Sequence, residues 1–225
     1  MIIQMAHPSI SQYLTSTCLL VIDEFNNEYN NKSKSDLKTI ADEGYNEMDI
    51  TTRIGRPFGS NVRYSVSDQF KNSKINHDVL IASKDFKIEI KYLKNWYNAS
   101  GLQKSNSMNW EPFQCDFDWL LDEIDSGNKD NRAFVIGWFN CTDHFTSLIK
   151  LGAGVGYNPP MNQERACYFP FIMKTRFPTR IHDTEYKYVD AYKELPVTPI
   201  GNRKGSYHCM FIGQETDVFH FAIYY

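Results

Sequence analysis

Ile10, Tyr13, Leu14, Cys18, Val21 and Phe25 recur at three- and four-residue steps, which lays one apolar stripe along a helix. Pro8 suits its first turn and Ser9 its cap, and the polar run 26–35 ends it. Residues 36–48 read as a second helix, weakened by Gly44. Residues 51–60 hold two Gly and a Pro, so they read as a loop, one that carries Arg53 and Arg56. The period then changes to two. Residues 61–66 predict a short strand, and 78–82 and 86–93 predict stronger ones, separated by the turn-like Ser83-Lys84-Asp85. The Asn- and Ser-rich stretch 96–109 reads as a loop or short helix. Residues 117–124 predict a helix, stopped by Asp125-Ser126-Gly127-Asn128. The run Arg-Ala-Phe-Val-Ile-Gly-Trp-Phe at 132–139 has the texture of a buried strand. Past Leu151 the aromatic stretches 167–174, 185–192, 207–213 and 218–225 are strand candidates. The expectation is an α/β (α+β) chain with a core over 1–150. A β-rich extension over 151–225 packs on that core instead of forming its own domain.

Composition narrows the class. At 225 residues and 42% apolar content the chain can bury a real core. No apolar run approaches the roughly 20 residues of a membrane span, and residues 1–8 lack a basic leader region. Neither a membrane protein nor a secretion signal is expected. Five scattered Cys without a C-x-x-C pattern read as reduced cytoplasmic thiols. Cys141 and His144 have a metal-like spacing, but no second pair completes a zinc set. The Gly-Ala-Gly-Val-Gly run at 152–156 leads into Asn-Pro-Pro and not into a helix, which argues against a dinucleotide loop. A net charge of −3 argues against a protein that coats nucleic acid by bulk electrostatics, but it allows a local basic surface.

The chemistry concentrates in residues 77–93, which contain the spacing D-x10-E-x-K at Asp78, Glu89 and Lys91. In a strand Glu89 and Lys91 point to one face, and Ile88 and Ile90 to the other. A hairpin centred between Lys84 and Asp85 sets Asp78 opposite Lys91 and Glu89 opposite Leu80. All three polar residues then share a face, and Val79, Ile81, Ile88 and Ile90 form an apolar opposite face that can seat on helices. A slip of one residue would separate them. Two close carboxylates make a hard-oxygen site for Mg²⁺ or Mn²⁺, and an adjacent ammonium can orient a water or stabilise developing negative charge. The spacing has decoys: Asp23 with Asp36-Leu37-Lys38, Asp68 with Asp85-Phe86-Lys87, and the isolated triplet Glu185-Tyr186-Lys187.

With its element order, the chain over about 1–140 resembles the PD-(D/E)XK, or restriction-endonuclease-like, nuclease superfamily. That core runs helix, three-strand meander, helix, strand, with acids on the second and third strands. The resemblance implies a mixed central sheet flanked by helices. It implies metal binding by Asp78 and Glu89 and a catalytic role for Lys91. His77 stands where the family name has Pro. The family often adds a Glu on the first helix, for which Glu24 is the candidate and Glu28 lies one turn on. Some members carry a Gln after the lysine, and Gln103 fits that place. Arg53, Arg56, Arg63, Lys94 and Lys104 flank the segment and are candidate phosphate contacts. The implied activity is Mg²⁺- or Mn²⁺-dependent endonuclease action of the restriction or defence type, on DNA before RNA, by a possible cytoplasmic homodimer. Two alternatives stay open: an inactive binding or immunity protein on the same fold, and an RNA-cleaving toxin.

Overall fold

The computed structural model describes residues 9–65, 77–94, 110–141, 145–154, 159–174, 184–200 and 206–225. Helix α1 spans Ile10–Tyr29 and opens on a reciprocal capping box between Ser9 and Gln12. It buries Ile10, Leu14, Cys18, Val21 and Phe25 of the expected stripe and adds Ile22, while Tyr13 is half-buried. Pro8 lies outside the described residues.

The single helix expected over 36–48 divides. Helix α2 covers Lys34–Thr39 and relaxes into a π-helical turn, Ile40–Gly44, and the chain then extends at Tyr45 and Asn46. Asn46 caps a new helix, α3 (Glu47–Gly55), by accepting from the backbone N–H groups of Met48 and Asp49, and Asp49 reaches back to the Asn46 N–H. The stretch 51–60 is therefore helical and not a loop: α3 runs to Gly55, and a 3₁₀ segment, Arg56–Asn61, broken at Gly59, follows it. Its stripe is Ile50, Thr51 and Ile54, all buried. The two glycines concealed it: Gly44 lies in the π turn and Gly55 closes α3, so neither interrupts a helix interior. Asn46→Ala is expected to lower stability by about 1 kcal/mol, read from the urea unfolding midpoint, because two N–H groups of the first turn lose their acceptor.

Three short strands follow, β1 (Val62–Tyr64), β2 (Val79–Ile81) and the longer β3 (Phe86–Leu93), joined as an antiparallel meander. Helix α4 (Trp110–Asp125) crosses over to β4 (Arg132–Phe139), which pairs parallel to β3. Helix α4 starts earlier than the expected 117–124, because Trp110 and Phe113 continue the stripe of Phe117, Leu120 and Leu121, and Pro112 falls in the tolerant first turn. Short helices α5 (Phe145–Leu148) and α6 (Gln163–Ala166) precede a two-stranded sheet of β5 (Ile172–Lys174) and β6 (Thr184–Tyr186). Of the expected strands 167–174 and 185–192, only these short pieces form. Strands β7 (Glu194–Val197), β8 (Tyr207–Ile212) and β9 (Phe219–Tyr224) complete the main sheet, ordered β1-β2-β3-β4-β9-β8-β7. The sequence pattern missed β7 because of Pro196, which its position on the sheet edge tolerates. The fold is thus α+β: a mixed seven-strand sheet with flanking helices and a small second sheet.

Both sheet faces are covered. Val79, Ile88, Ile90, Ala133, Val135 and Ile223 pack on the side of α1 and α3. Phe134, Ile136, Trp138, Ala222 and Tyr224 pack on the side of α4 and the C-terminal segments. Among the described residues no helix is long and apolar enough to cross a membrane.

His220 sits fully buried in the second core, its Nε2 within 2.8 Å of the Gln214 carbonyl and its ring among Trp138, Tyr186, Tyr188 and Phe211. Burial holds its pKa down at about 4, against the raising effects of that carbonyl and of Asp217. The unfolded chain takes up this proton first, near pH 6.5. Stability from His220 is therefore complete above that pH and is lost as pH falls toward 4, by about 3 kcal/mol. Urea titrations at pH 7.5 and 4.5 check this, with His220→Phe expected to lack that component.

Candidate active site

Residues Asp78, Glu89 and Lys91 converge on the α4 side of the sheet. The hairpin pairs Val79 with Ile88, Leu80 with Lys87 and Ile81 with Phe86. Its centre therefore falls between Ser83 and Lys84, one residue before the position expected from sequence. The turn is made by a short 3₁₀ segment, Ala82–Lys84, and by Asp85 at φ 50°. The strands slide by two residues relative to each other, which preserves the side-chain alternation. Asp78 stands one step beyond the Val79–Ile88 pair, across from Glu89 instead of Lys91, and the three residues keep a common face.

Strand β2 begins at Val79, so the edge of β3 beyond Ile88 has no partner strand. N–H groups two residues apart point to the same edge, and each needs an acceptor. The Ile90 N–H donates to Asp78 Oδ2 at 2.8 Å, and the Tyr92 N–H donates to Glu47 Oε2 at 3.4 Å. Two carboxylates are thereby fixed side by side by the backbone that carries Glu89 and Lys91. Glu47 is the first residue of α3, so the Asn46 cap also positions an acid of the site. From the other side α4 contributes Asp116, whose Oδ2 lies 3.0 Å from Lys91 Nζ. His77 Nδ1 lies 2.9 Å from Glu89 Oε1, and its ring rests 5.2 Å from that of Trp119.

These groups sit largely out of water: side-chain exposure is 14% for Glu89, 16% for Asp116 and 21% for Lys91. Burial raises the pKa of Glu47, with Asp78 and Asp116 adding to the rise and Lys91 opposing it. Burial likewise raises Glu89, against its hydrogen bond to His77, and raises Asp116, against Lys91. Burial alone would lower Lys91, but Glu47 and Asp116 outweigh it and hold the group above the ordinary lysine value. Lys91 is therefore an ammonium, suited to stabilising negative charge and not to abstracting a proton.

The donor set, four carboxylates and no thiolate, fits a hard divalent cation in kind. In the present arrangement Lys91 occupies Asp116 and His77 occupies Glu89, and among the described residues no three His, Cys, Asp or Glu side chains are grouped closely enough to hold an ion. Holding a cation thus requires those side chains to reorient.

The other residues singled out from sequence are dispersed. Glu24 on α1 does not join the cluster. It pairs with Arg53 at 3.2 Å, and both line a cleft of about 460 Å³ with Thr52, Arg56, Val62 and Tyr64. Glu28 meets the Tyr29 hydroxyl. The Lys94 ammonium donates to the Asp42 carbonyl at 2.9 Å. Arg63, by contrast, pairs across from Leu80 and shares the face of Asp78 and Glu89. Gln103, Lys104 and His144 lie outside the described residues. Sequence reasoning missed Glu47 and Asp116, although both left a signal. Asn46-x-x-Asp49 is a cap pattern that starts a helix at Glu47. Phe113, Asp116, Phe117 and Leu120 fall at helical spacing, which places one acid within a core-facing stripe. Comparison of the chain with protein-family models, with curated proteins and with solved structures finds no match.

Proposed function

We propose that this protein is a divalent-metal-dependent endonuclease of the PD-(D/E)XK type, hydrolysing phosphodiester bonds in DNA before RNA. One observation carries the reading: Asp78, Glu89 and Lys91 share a face where β2 stops, and Glu47 and Asp116 close around them from two helices. The order of helix, meander, crossover helix and parallel strand supports it. Asp78 and Glu89, with Glu47 adjacent, would hold Mg²⁺ or Mn²⁺. When bound, the ion polarises a phosphoryl oxygen and lowers the pKa of a coordinated water. Lys91 presents its ammonium to the charge that builds on the phosphate. His77 orients the Glu89 carboxylate. Cutting both strands of a duplex asks for two such centres, so a cytoplasmic homodimer belongs to the proposal.

A second reading, an inactive binding or immunity protein on this fold, is favoured by the Lys91–Asp116 and His77–Glu89 contacts, which engage the groups a metal would need. The deciding experiment incubates the protein with supercoiled plasmid and, separately, with a structured RNA, in Mg²⁺ and in EDTA, alongside Asp78→Asn. Nicking of plasmid that needs Mg²⁺ and is lost in Asp78→Asn is expected. Cleavage of RNA alone would move the protein to the toxin class. Intact plasmid and RNA throughout would remove the nuclease reading and leave the binding one.

A further inference from the structure

Register extends the site along the sheet. Arg63, Leu80, Lys87 and Arg132 form one row across β1, β2, β3 and β4, on the face that carries Asp78, Glu89 and Lys91. The two ends of this row differ. Arg132 is 3% exposed and is consumed by structure, with Nε 2.6 Å from Glu123 and Nη2 3.2 Å from Asp85. The end of α4 therefore closes the row on that side. Arg63 is exposed on the edge strand and has no ion-pair partner among the described residues, and Lys87 is half-buried beside the half-buried Leu80. Positive charge thus runs from half-buried Lys87, which also acts on Glu123 of α4, outward to exposed Arg63 at the sheet edge. Beside it α4 exposes Asp122 and Asp125, which repel a polyanion.

We infer that the nucleic-acid backbone leaves the scissile position over the outer meander, with one phosphate on Lys87 and a further one on Arg63. The inference rests on the nuclease reading and adds the path of the substrate. Lys87 lies two residues along the strand from Glu89, about 7 Å, and Arg63 lies two strands further, about 10 Å. That second distance is about three nucleotides of axial rise along one strand. The site thereby divides into an acidic half for the metal and a basic half for the polymer. Arg53 and Arg56, which line the cleft with Val62 and Tyr64 on the opposite face of β1, are not on this path.

The test is the salt dependence of binding in EDTA, where no cleavage occurs. A fluorescein-labelled 20-mer duplex and its single strand are titrated with wild type, Arg63→Ala, Lys87→Ala, the double variant, the charge-keeping pair Arg63→Lys with Lys87→Arg, and Lys193→Ala. Each alanine is expected to flatten the slope of log K against log salt by about 0.9 on duplex or about 0.7 on single strand, and the double variant by about twice that. The charge-keeping pair and Lys193→Ala, whose side chain pairs with Asp190, are expected to keep the wild-type slope. A double variant with the wild-type slope overturns the path while plasmid cleavage leaves the nuclease reading standing. A wild type that neither binds nor cuts removes both.

Discussion

Replacing Lys91 with alanine is expected to cut Mg²⁺-dependent cleavage by about 10²–10³-fold or more, the usual loss when a charge-stabilising donor is removed from a reacting centre. The same change is expected to have a second effect that a purely structural lysine would lack. Lys91 lies among Glu47, Asp78 and Asp116, and burial already pushes the pKa of Glu47 and Asp116 upward. Without the ammonium those carboxylates face one another with only the Ile90 and Tyr92 N–H groups opposing their repulsion. The variant should therefore unfold more readily at neutral pH than wild type and gain more from a divalent cation. Thermal melts across a Mg²⁺ series read this directly: the midpoint of Lys91→Ala should rise with Mg²⁺ more steeply than that of wild type, by ligand linkage. Lys91→Arg keeps the charge, so it should restore the melt, but its planar fork does not reproduce the point charge of an ammonium, so cleavage should stay low. A Lys91→Ala protein that cleaves at the wild-type rate would end the assignment. One that loses cleavage but shows no added response to Mg²⁺ would place the metal away from this cluster.

The sequence made the central strands plain because their patterns are strong. Strand β4 is buried along its whole length and reads as a continuous apolar run after Arg132, and β3 alternates from Phe86 to Tyr92. The common face of Asp78, Glu89 and Lys91 was legible even though the turn was placed one residue late, because a two-residue slide leaves the period-two alternation unchanged. The two helical acids were not, since each comes from an element whose start is set by context. Helix α3 begins at a cap that a helix-period reading ran through, and α4 begins seven residues ahead of the expected position, Trp110 against 117. Glu24 shows the converse. It borders the right stripe on the first helix, yet α1 packs on the sheet face opposite the cluster, where Glu24 pairs with Arg53. Strand β7 and the turns after Phe169 depend on pairing and packing that no local period records.

Gly213→Ala is expected to destabilise the fold by about 4 kcal/mol, the largest effect foreseen for a single methyl group added at the described glycines. Two costs add there. Gly213 has φ 139°, outside the range an L side chain adopts without strain, which costs about 1–3 kcal/mol. A β-carbon at this position would also stand 2.0 Å from His220 Cδ2, and overpacking of a filled core costs about 1–3 kcal/mol more. The ring cannot move aside, because Trp138, Tyr186, Tyr188 and Phe211 surround it and its Nε2 is held at the Gln214 carbonyl. Gly59 and Gly154 supply the comparison. They too have positive φ, at 59° and 102°, but an added β-carbon would meet open space at both. Alanine there should cost only the backbone part, about 1 kcal/mol. Urea midpoints of the three variants separate strain from crowding. If Gly213→Ala were no worse than Gly59→Ala, the close packing of β8, β9 and His220 would be wrong. Because β9 is the direct neighbour of β4, which in turn pairs with β3, the variant should also loosen the sheet that holds Glu89 and Lys91. Its cleavage should then fall at temperatures where the wild type stays active, and recover on cooling, whereas Lys91→Ala should stay far below wild type at every temperature.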